Sequence, residues 1–335
     1  MDYEWIKTVA EMSDDYTSIK FNDEFNDIIK SNSLPENLSN LTFGSKFNQK
    51  IKPSILPENL TTLIFGWLFN QKIEPNTLPN NLTTLIFGSV FDQKLELNSL
   101  PENITFLTFG NNFNQKIEPN TLPKNLTSII FGNDFNQKIE PNILPENLTF
   151  LTFGWFFNQK IELNTLSKNL TTIIFGFYFN QKIEPNILSS KLTSLTFGYC
   201  FNQKIELNTL PENLSSLTFG EKFNQKIEPI MLPSNLKNIN FNWIYFDNNY
   251  LNKQYVEMVN NIPNYHHVKI FLDKNIFDIN GPKWPIHVIK YKIADWSSEI
   301  YDIHDKYTHP IRGFITVLIN KKTYQPYFSA KSALK

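Results

Sequence analysis

A 22-residue unit recurs head to tail through most of this chain, and it limits the possible folds more than any other feature of the sequence. Counted from a Leu-Pro pair, the copy LPENLTTLIFGWLFNQKIEPNT occupies residues 56–77, with Leu56 as position 1. Nine clear copies all have phenylalanine at positions 10 and 14 and glycine at position 11. A period of about 20 to 29 residues is typical of supersecondary units that stack and bury each other's apolar faces. The repeat therefore predicts a solenoid.

The apolar residues of the unit predict how each coil is built. They recur at positions 1, 5, 8, 10, 14 and 18, so Phe65 and Phe69 in one copy, and Phe131 and Phe135 in a later one, are expected to fill the core. The alternation at positions 7 to 10 indicates a short strand, which the glycine at position 11 ends. A second short strand near positions 16 to 18 is compatible with the pattern. Proline at position 2, and usually at position 20, excludes a long helix within the unit.

Two asparagine positions and a charged pair also repeat. Position 15 is asparagine in every clear copy except for Asp92, and it includes Asn70 and Asn136. We predict that this column is structural, because a side-chain amide repeated at every coil can bond the backbone of the next coil. Asparagine at position 4, such as Asn59, is expected to bond its own backbone in a turn. Lysine at position 17 and mostly glutamate at position 19 predict a solvated edge whose ion pairs contribute about 0 to 1 kcal/mol each.

The string LPxNLTxLxFGxxFNQxIxP resembles the FNIP repeat family, which is known from amoebae and from giant DNA viruses that infect them. The resemblance covers residues 34–231 plainly. It implies a leucine-rich-repeat-like solenoid with short parallel strands, and hence a mostly β fold. Family members often carry an F-box, which binds the Skp1 adaptor of ubiquitin ligases. Only residues 1–11 precede the first degenerate copy, which is too short for an F-box.

The repeats divide the chain into predicted segments. Residues 1–11 are expected to cover the open end of the stack with Trp5, Ile6 and Val9, because an uncovered first coil exposes core and strand edge. The solenoid is predicted over residues 12–250, with nine clear copies at 34–231 and degenerate copies at 12–33 and 232–250; the first of these places Tyr16 at position 5. A small C-terminal α+β domain is predicted over residues 251–335, with a helix at 251–261 and strands within 267–273, 284–293 and 313–321.

Composition excludes several classes of function. The net charge is -1 and Arg312 is the single arginine, which argues against nucleic-acid binding. Cys200 is the single cysteine, so neither an internal disulfide nor a cysteine-based zinc site is expected. The five histidines fall in residues 251–335 without metal-ligand spacing, and no catalytic motif or cofactor site is recognised. The absence of a signal peptide and of a membrane-length apolar run predicts a soluble intracellular protein without membrane contact, located in the host cytoplasm if it is viral.

Positions 12 and 13 vary while the rest of the unit barely changes. Both follow the predicted strand directly, and a binding surface on a repeated scaffold would show such variation. Large apolar residues recur there and at position 7, and aromatic residues are favoured anchors of interfaces. A second interpretation is that these rings lie over the glycine at position 11 and form a purely structural stack. The candidate partner-binding residues are Trp67, Phe150, Trp155, Phe156, Phe177, Tyr178 and Tyr199.

The sequence favours a non-enzymatic scaffold for protein–protein interaction, which binds a protein partner. The sequence specifies neither the identity of that partner nor the oligomeric state. Two alternatives stay open at this point. The chain could be a substrate receptor for host ubiquitin machinery that lacks its own F-box. The C-terminal domain could instead be catalytic and positioned by the repeats.

Overall fold

The computed structural model describes residues 3–223, 225, 227–241, 269–273, 290–292 and 314–318. The chain is a mostly β solenoid of 22-residue repeats, with very little helix in the described part. It divides into two compact units, which are described separately. The first comprises Met1–Ile183 with Ile187–Leu192, and the second comprises Glu184–Asn186 with Thr193–Lys335.

The first unit is a ladder of short strands that follow one another in chain order. An N-terminal hairpin starts it, because β1 pairs antiparallel with β2. From β2 to β9 each strand pairs parallel with the next, and partner residues differ by 22 in number. The elements are α1 (Glu4–Val9), β1 (Ala10–Met12), β2 (Ser18–Phe21), β3 (Asn40–Thr42), β4 (Thr62–Ile64), β5 (Thr84–Ile86), β6 (Phe106–Thr108), β7 (Ser128–Ile130), β8 (Phe150–Thr152) and β9 (Thr172–Ile174).

The second unit has parallel strand pairs first and antiparallel pairs after them. Strands β10 to β13 pair parallel in chain order, whereas β15 pairs antiparallel with both β13 and β14. A 3-10 turn precedes β12. The elements are β10 (Ser194–Thr196), β11 (Ser216–Phe219), the 3-10 turn (Pro229–Met231), β12 (Asn238–Phe241), β13 (Lys269–Asp273), β14 (Lys290–Lys292) and β15 (Phe314–Leu318).

The core consists of columns in which each side chain packs on its equivalents one coil away. In strands such as β4 and β5, position 8 is buried at the centre and its two neighbours are half-buried. The two phenylalanine columns stack both along the array and with each other. The ring centroid of Phe131 lies 5.5 Å from that of Phe109, 5.9 Å from that of Phe153 and 4.0 Å from that of Phe135. The Phe131 side chain is 2% exposed, and that of Phe135 is fully buried. Phe65 and Phe69 occupy the same places three coils earlier.

Three tight turns connect the strands of successive coils. In one coil the backbone amide of Leu60 donates to the carbonyl of Pro57, that of Phe69 to Gly66, and that of Thr77 to Glu74. The last turn has proline at its second position and a left-handed asparagine at its third, the arrangement of a type II turn. Asparagine tolerates this conformation better than most residues. The residues of this column with positive φ are Asn32, Ser54, Asn76, Asn98, Asn120, Asn142, Asn164, Asn186 and Asn208.

The second strand at positions 16 to 18 is absent from the described repeats. Side chains at positions 15 and 16 link adjacent coils beside this segment. The Oδ1 atom of Asn48 accepts the backbone N–H of Asn70 at 2.9 Å and the side-chain amide of Gln71 at 3.1 Å. The same pair of bonds links Asn114 to the coil of Asn136. The Asn48 oxygen therefore satisfies the backbone N–H at position 15 without strand pairing.

The prediction that the asparagine at position 4 bonds its own backbone is wrong. The side-chain amide of Asn59 instead donates to the carbonyl of Glu36 in the preceding coil, at 2.9 Å. Asn81 and Glu58 repeat this bond one coil later. Adjacent coils lie close enough for a short side chain to reach across, so this column joins coils and does not shape a local turn.

Of the six core positions of the degenerate first copy, four are buried, Met12 is half-buried and Tyr16 is exposed. Ile19, Phe21, Phe25 and Ile29 are buried as in the clear copies. Tyr16, predicted at the inward position 5, is exposed and has a φ of 61°. It lies in the turn of the β1–β2 hairpin, where its ring centroid is 5.7 Å from that of Tyr3.

The N-terminal segment packs on this first copy. Ile6 of α1 is fully buried. The ring of Trp5, although partly exposed, lies 6.3 Å from that of Phe21 and 6.5 Å from that of Phe25. These contacts place apolar side chains over the beginning of the phenylalanine columns.

The C-terminal α+β domain stays a prediction. Strands β13, β14 and β15 fall within the three segments predicted as strands. The predicted helix at 251–261 lies outside the described residues.

Position 22 allows a buried hydroxyl without a hydrogen-bond partner to be compared with a bonded one at the equivalent place in another coil. The hydroxyl of Thr77 is buried without a hydrogen-bond partner, whereas that of Thr121 donates to the carbonyl of Glu118 at 2.8 Å. Other coils carry isoleucine here, such as Ile55, so a branched apolar side chain fits. We expect Thr77→Val to raise the free energy of unfolding by about 1 kcal/mol and Thr121→Val to lower it by about 1 kcal/mol, measured by urea denaturation. An equal loss in both variants would contradict this assignment.

Candidate functional site

Positions 12 and 13 form a turn shortly after each strand, for example with two residues between the end of β8 and Trp155, and the turns of neighbouring coils are bonded together. The backbone N–H of Phe156 donates to the carbonyl of Asn133 at 2.9 Å, and that of Tyr178 to the carbonyl of Trp155 at 2.8 Å. Leu68 and Ser45 make the same bond at 2.8 Å. These bonds hold the turns in two parallel columns, so side chains at positions 12 and 13 project one coil apart from a fixed backbone.

Several large apolar side chains of these columns are exposed. The exposed fraction is 59% for Trp67, 57% for Trp155, 46% for Phe156 and 44% for Tyr178. Phe177 is half-buried. Burial of these rings against a partner would remove a large apolar area from water. Their exposure therefore calls for an explanation, and binding to a partner would supply one.

Four of these rings in successive coils form one aromatic patch, defined as Trp155, Phe156, Phe177 and Tyr178. The centroids of Trp155 and Phe177 are 5.8 Å apart with an interplanar angle of 26°. Those of Phe156 and Tyr178 are 5.2 Å apart at 8°, and Phe177 meets Tyr178 edge to face at 4.8 Å. The rings therefore stack on one another and remain exposed at the same time. Mutual stacking restricts their rotamers and prepares a rigid apolar surface.

The other candidate residues have different surroundings. Phe150 is half-buried at the first position of β8, where it pairs in register with Ser128 and Thr172. Tyr199 belongs to the second unit and is half-buried, with the Nζ atom of Lys222 5.7 Å from its ring centroid. This distance is within the range of a cation–π interaction.

A second set of exposed apolar residues was not predicted from the sequence. Leucine replaces the usual proline at position 20 in three clear copies, and the side chains are at least half exposed. They lie beside the left-handed asparagine of the type II turn, far along the coil from positions 12 and 13. The replacement of proline by leucine was the available signal. These residues are Leu97, Leu163 and Leu207.

Charged side chains line a separate edge of the coils. Lys50 pairs with Glu74 of the next coil at 2.7 Å, and this hydrogen bond and charge lower the pKa of the Glu74 carboxyl. Lys138 contacts Glu140 at 3.0 Å and Glu162 at 3.3 Å, and these bonds raise the pKa of its ammonium group. All of these groups are solvent-accessible, so each pair adds little stability.

The described residues hold no group of three or more histidine, cysteine, aspartate or glutamate side chains that could bind a metal ion. All five histidines lie outside the described residues. Burial raises the pKa of the Cys200 thiol, and the charge of Lys222 opposes this change. None of the helices in the described part of the chain has the length and apolar character needed to span a membrane.

Comparison with known proteins places these features in a family. The FNIP Repeat profile matches residues 16–46, 25–67, 47–90, 69–112, 91–134, 113–156, 157–200 and 201–242. Curated proteins give no match. Among solved structures, the chain is similar to the crystal structure of CroV588, a giant-virus protein described as a novel circular LRR protein, with 52% identity and a TM-score of 0.66.

That similarity covers 67% of this chain and 33% of the CroV588 chain, so this chain spans about a third of the length of its structural relative. The repeat matches extend over residues 16–242, which is well over half of the chain. The leucine-rich-repeat-like solenoid, the 22-residue period and the repeated phenylalanine and asparagine columns agree with these matches. The chain belongs to the FNIP repeat family.

Proposed function

We propose that this protein is a non-enzymatic scaffold for protein–protein interaction, and that its partner binds the aromatic patch. The observation that carries the proposal is the exposure of Trp155, Phe156 and Tyr178 on turns fixed by hydrogen bonds between coils. The remaining turns at positions 12 and 13 present mostly small or polar side chains. A few rigid aromatic anchors commonly supply most of the binding energy of an interface.

The scaffold contributes by holding these rings in place before binding. Association costs the entropy of every side chain that becomes ordered, about 0.5 to 1.5 kcal/mol for a rotamer-rich one. Rings that already stack on their neighbours at 5.2 and 5.8 Å have lost much of this freedom in the free protein. A partner would therefore bind the patch with a smaller ordering cost than it would on a flexible loop.

The two alternative functions find no specific support in the described residues. The catalytic alternative concerns residues 251–335, of which only short strand segments are described. A ubiquitin-receptor role would be one form of the scaffold function and would use the same surface for its substrate. A protein partner in the host cytoplasm remains part of the proposal.

The test is affinity capture from amoebal lysate with the full chain and with a Trp155→Ser, Phe156→Ser, Tyr178→Ser triple variant, followed by mass spectrometry. We expect the triple variant to lose one or more proteins that the wild type captures, with an unchanged circular dichroism spectrum. The matched control is Leu97→Ser with Leu163→Ser, which removes exposed apolar side chains from another turn and should retain capture. Equal capture by the wild type and the triple variant would contradict the proposal.

A further inference from the structure

One charged side chain in the variable turns has no partner among the described residues. Positions 12 and 13 of the described coils contain six charged residues, and five of them interact with another residue of the chain: Asp23, Glu24, Lys46, Glu221 and Lys222. The sixth is Asp134, whose carboxylate forms neither a hydrogen bond nor an ion pair within the described part of the chain. A carboxylate without a counter-charge keeps all of its acceptor capacity for a cation from another molecule.

The turn that carries Asp134 is fixed beside the aromatic patch. Asp134 and Phe156 occupy position 13 in successive coils, and their backbone N–H groups each donate to a carbonyl of the preceding coil, at 2.7 and 2.9 Å. Side chains at position 13 can interact across this step, because Lys46 and Glu24 form an ion pair over the same separation of one coil. A cation bound by Asp134 is therefore expected to lie within reach of the Phe156 ring.

Phe156 directs one ring face towards the coil of Asp134. Its other face stacks on Tyr178, with the ring centroids 5.2 Å apart and an interplanar angle of 8°. Tyr178 lies one coil after Phe156 and Asp134 lies one coil before it, so the unstacked face is on the side of the carboxylate. The Phe156 side chain is 46% exposed, which leaves part of this face accessible. Carboxylates and the faces of aromatic rings both attract positive charge, so a cation between them interacts with each.

The same two columns hold a cation against an aromatic ring in the second unit. There the Nζ atom of Lys222, at position 13, lies 5.7 Å from the ring centroid of Tyr199, at position 12 of the preceding coil. Phe156 has no such neighbour among the described residues, because position 13 of the coils beside it is Asp134 and Tyr178. A cation for the Phe156 face therefore has to come from another molecule.

We propose that Asp134 and the unstacked face of Phe156 form a subsite for an arginine side chain of the protein that binds the aromatic patch. This assignment rests on the proposed scaffold function and specifies the chemistry of the partner. Arginine suits the subsite better than lysine, because a planar guanidinium stacks on aromatic rings and binds a carboxylate through two parallel hydrogen bonds. The partner segment then presents an arginine next to apolar side chains that cover Trp155 and Tyr178.

The test compares two labelled heptapeptides that have glycine at both ends and two leucines on each side of the central residue. That residue is arginine in one peptide and citrulline, its uncharged isostere, in the other. Binding to the full chain is measured by fluorescence anisotropy. We expect the wild type to bind the citrulline peptide about fivefold more weakly than the arginine peptide, because a partly exposed ion pair and a cation–π contact are each modest.

Two variants assign this preference to the carboxylate. Asp134→Asn should weaken binding of the arginine peptide by about fivefold and change binding of the citrulline peptide by less than about twofold, because only the charged peptide uses the carboxylate. Glu146→Gln is the matched control, since it removes one negative charge from an exposed position in the same coil as Phe156 and should change neither affinity. Each variant is first checked for an unchanged thermal midpoint.

Three results would overturn the proposal: an arginine peptide that does not bind, equal binding of both peptides by the wild type, or equal weakening of both peptides by Asp134→Asn. Self-association of the wild type in sedimentation velocity that Asp134→Asn abolishes would assign the carboxylate to a second copy of this chain instead.

Failure of the arginine subsite is distinct from failure of the scaffold function. If the wild type shows no preference for arginine while the patch triple variant still loses its captured protein, only the subsite assignment falls. If the triple variant captures the same proteins as the wild type while the arginine preference depends on Asp134, the subsite stands and the patch proposal falls.

Discussion

Gly132→Ala is expected to lower the free energy of unfolding by about 3 kcal/mol or more. A Cβ atom at Gly132 would lie 1.7 Å from the carbonyl oxygen of Gly110 and 2.5 Å from its carbonyl carbon. That oxygen accepts the backbone N–H of Phe113 at 3.2 Å, so it cannot move away without disturbing a turn. The described glycines do not have positive φ, so the cost comes from contact between coils and not from backbone conformation.

Urea denaturation of the full chain measures this effect. Asn112→Ala is the matched control, because it introduces the same side chain in an adjacent coil at an exposed position. We expect that variant to differ from the wild type by less than about 0.5 kcal/mol. A loss below about 1 kcal/mol for Gly132→Ala would show that the coils can separate easily at position 11, against the close packing described above.

Phe131→Ala is expected to cost about 3 to 5 kcal/mol, because it removes a buried ring and leaves a cavity that its neighbours cannot fill. The ring contacts Phe109 and Phe153 along its own column and Phe135 in the adjacent one. These neighbours are held in turn by the coils on either side. Collapse into the space would require several coils to shift together.

The control for this prediction is Phe156→Ala in the same denaturation experiment. Phe156 is the same residue type but is 46% exposed, and it stacks on one ring, that of Tyr178. Its removal should cost about 1 kcal/mol. Similar losses for both phenylalanines would mean that position 10 contributes no more than an exposed ring, and the core assignment would be wrong.

The solenoid and its core could be predicted because burial follows the repeat directly. A side chain that is apolar at the same position in every coil, such as Leu63 or Phe65, has equivalent neighbours above and below it. Sequence periodicity therefore reports contact between coils. The family match and the strand at position 8 confirm this part of the prediction.

The polar columns could be recognised but not assigned to their partners. Asn59 and Asn76 both recur once per coil, yet one bonds the preceding coil and the other adopts a left-handed turn. An asparagine can do either, and the sequence does not show which acceptor lies nearest. The second strand considered at positions 16 to 18 is not formed, and the neighbouring position-15 asparagines bond adjacent coils through their side chains.

The candidate surface was predicted from variation, and its geometry required the structure. Sequence spacing places Phe156 and Tyr178 one coil apart, but it does not reveal that both rings stay exposed while stacking in parallel. Nor does it distinguish them from Phe177, which is half-buried beside them. These differences depend on which side of the turn each side chain leaves, and that is set by the backbone bonds between coils.

The position-15 ladder also bears on how such a chain can change its length. In the coils from Asn26 to Asn180, the position-15 oxygen of one coil accepts a backbone N–H of the next, and Asp92 serves as well as asparagine, accepting the backbone N–H of Asn114 at 2.9 Å. Removal of residues 113–134 would bring Asn136 opposite Asp92, the acceptor that Asn114 uses now. Unequal recombination between gene copies could therefore add or delete whole coils while every junction keeps a bond already in use.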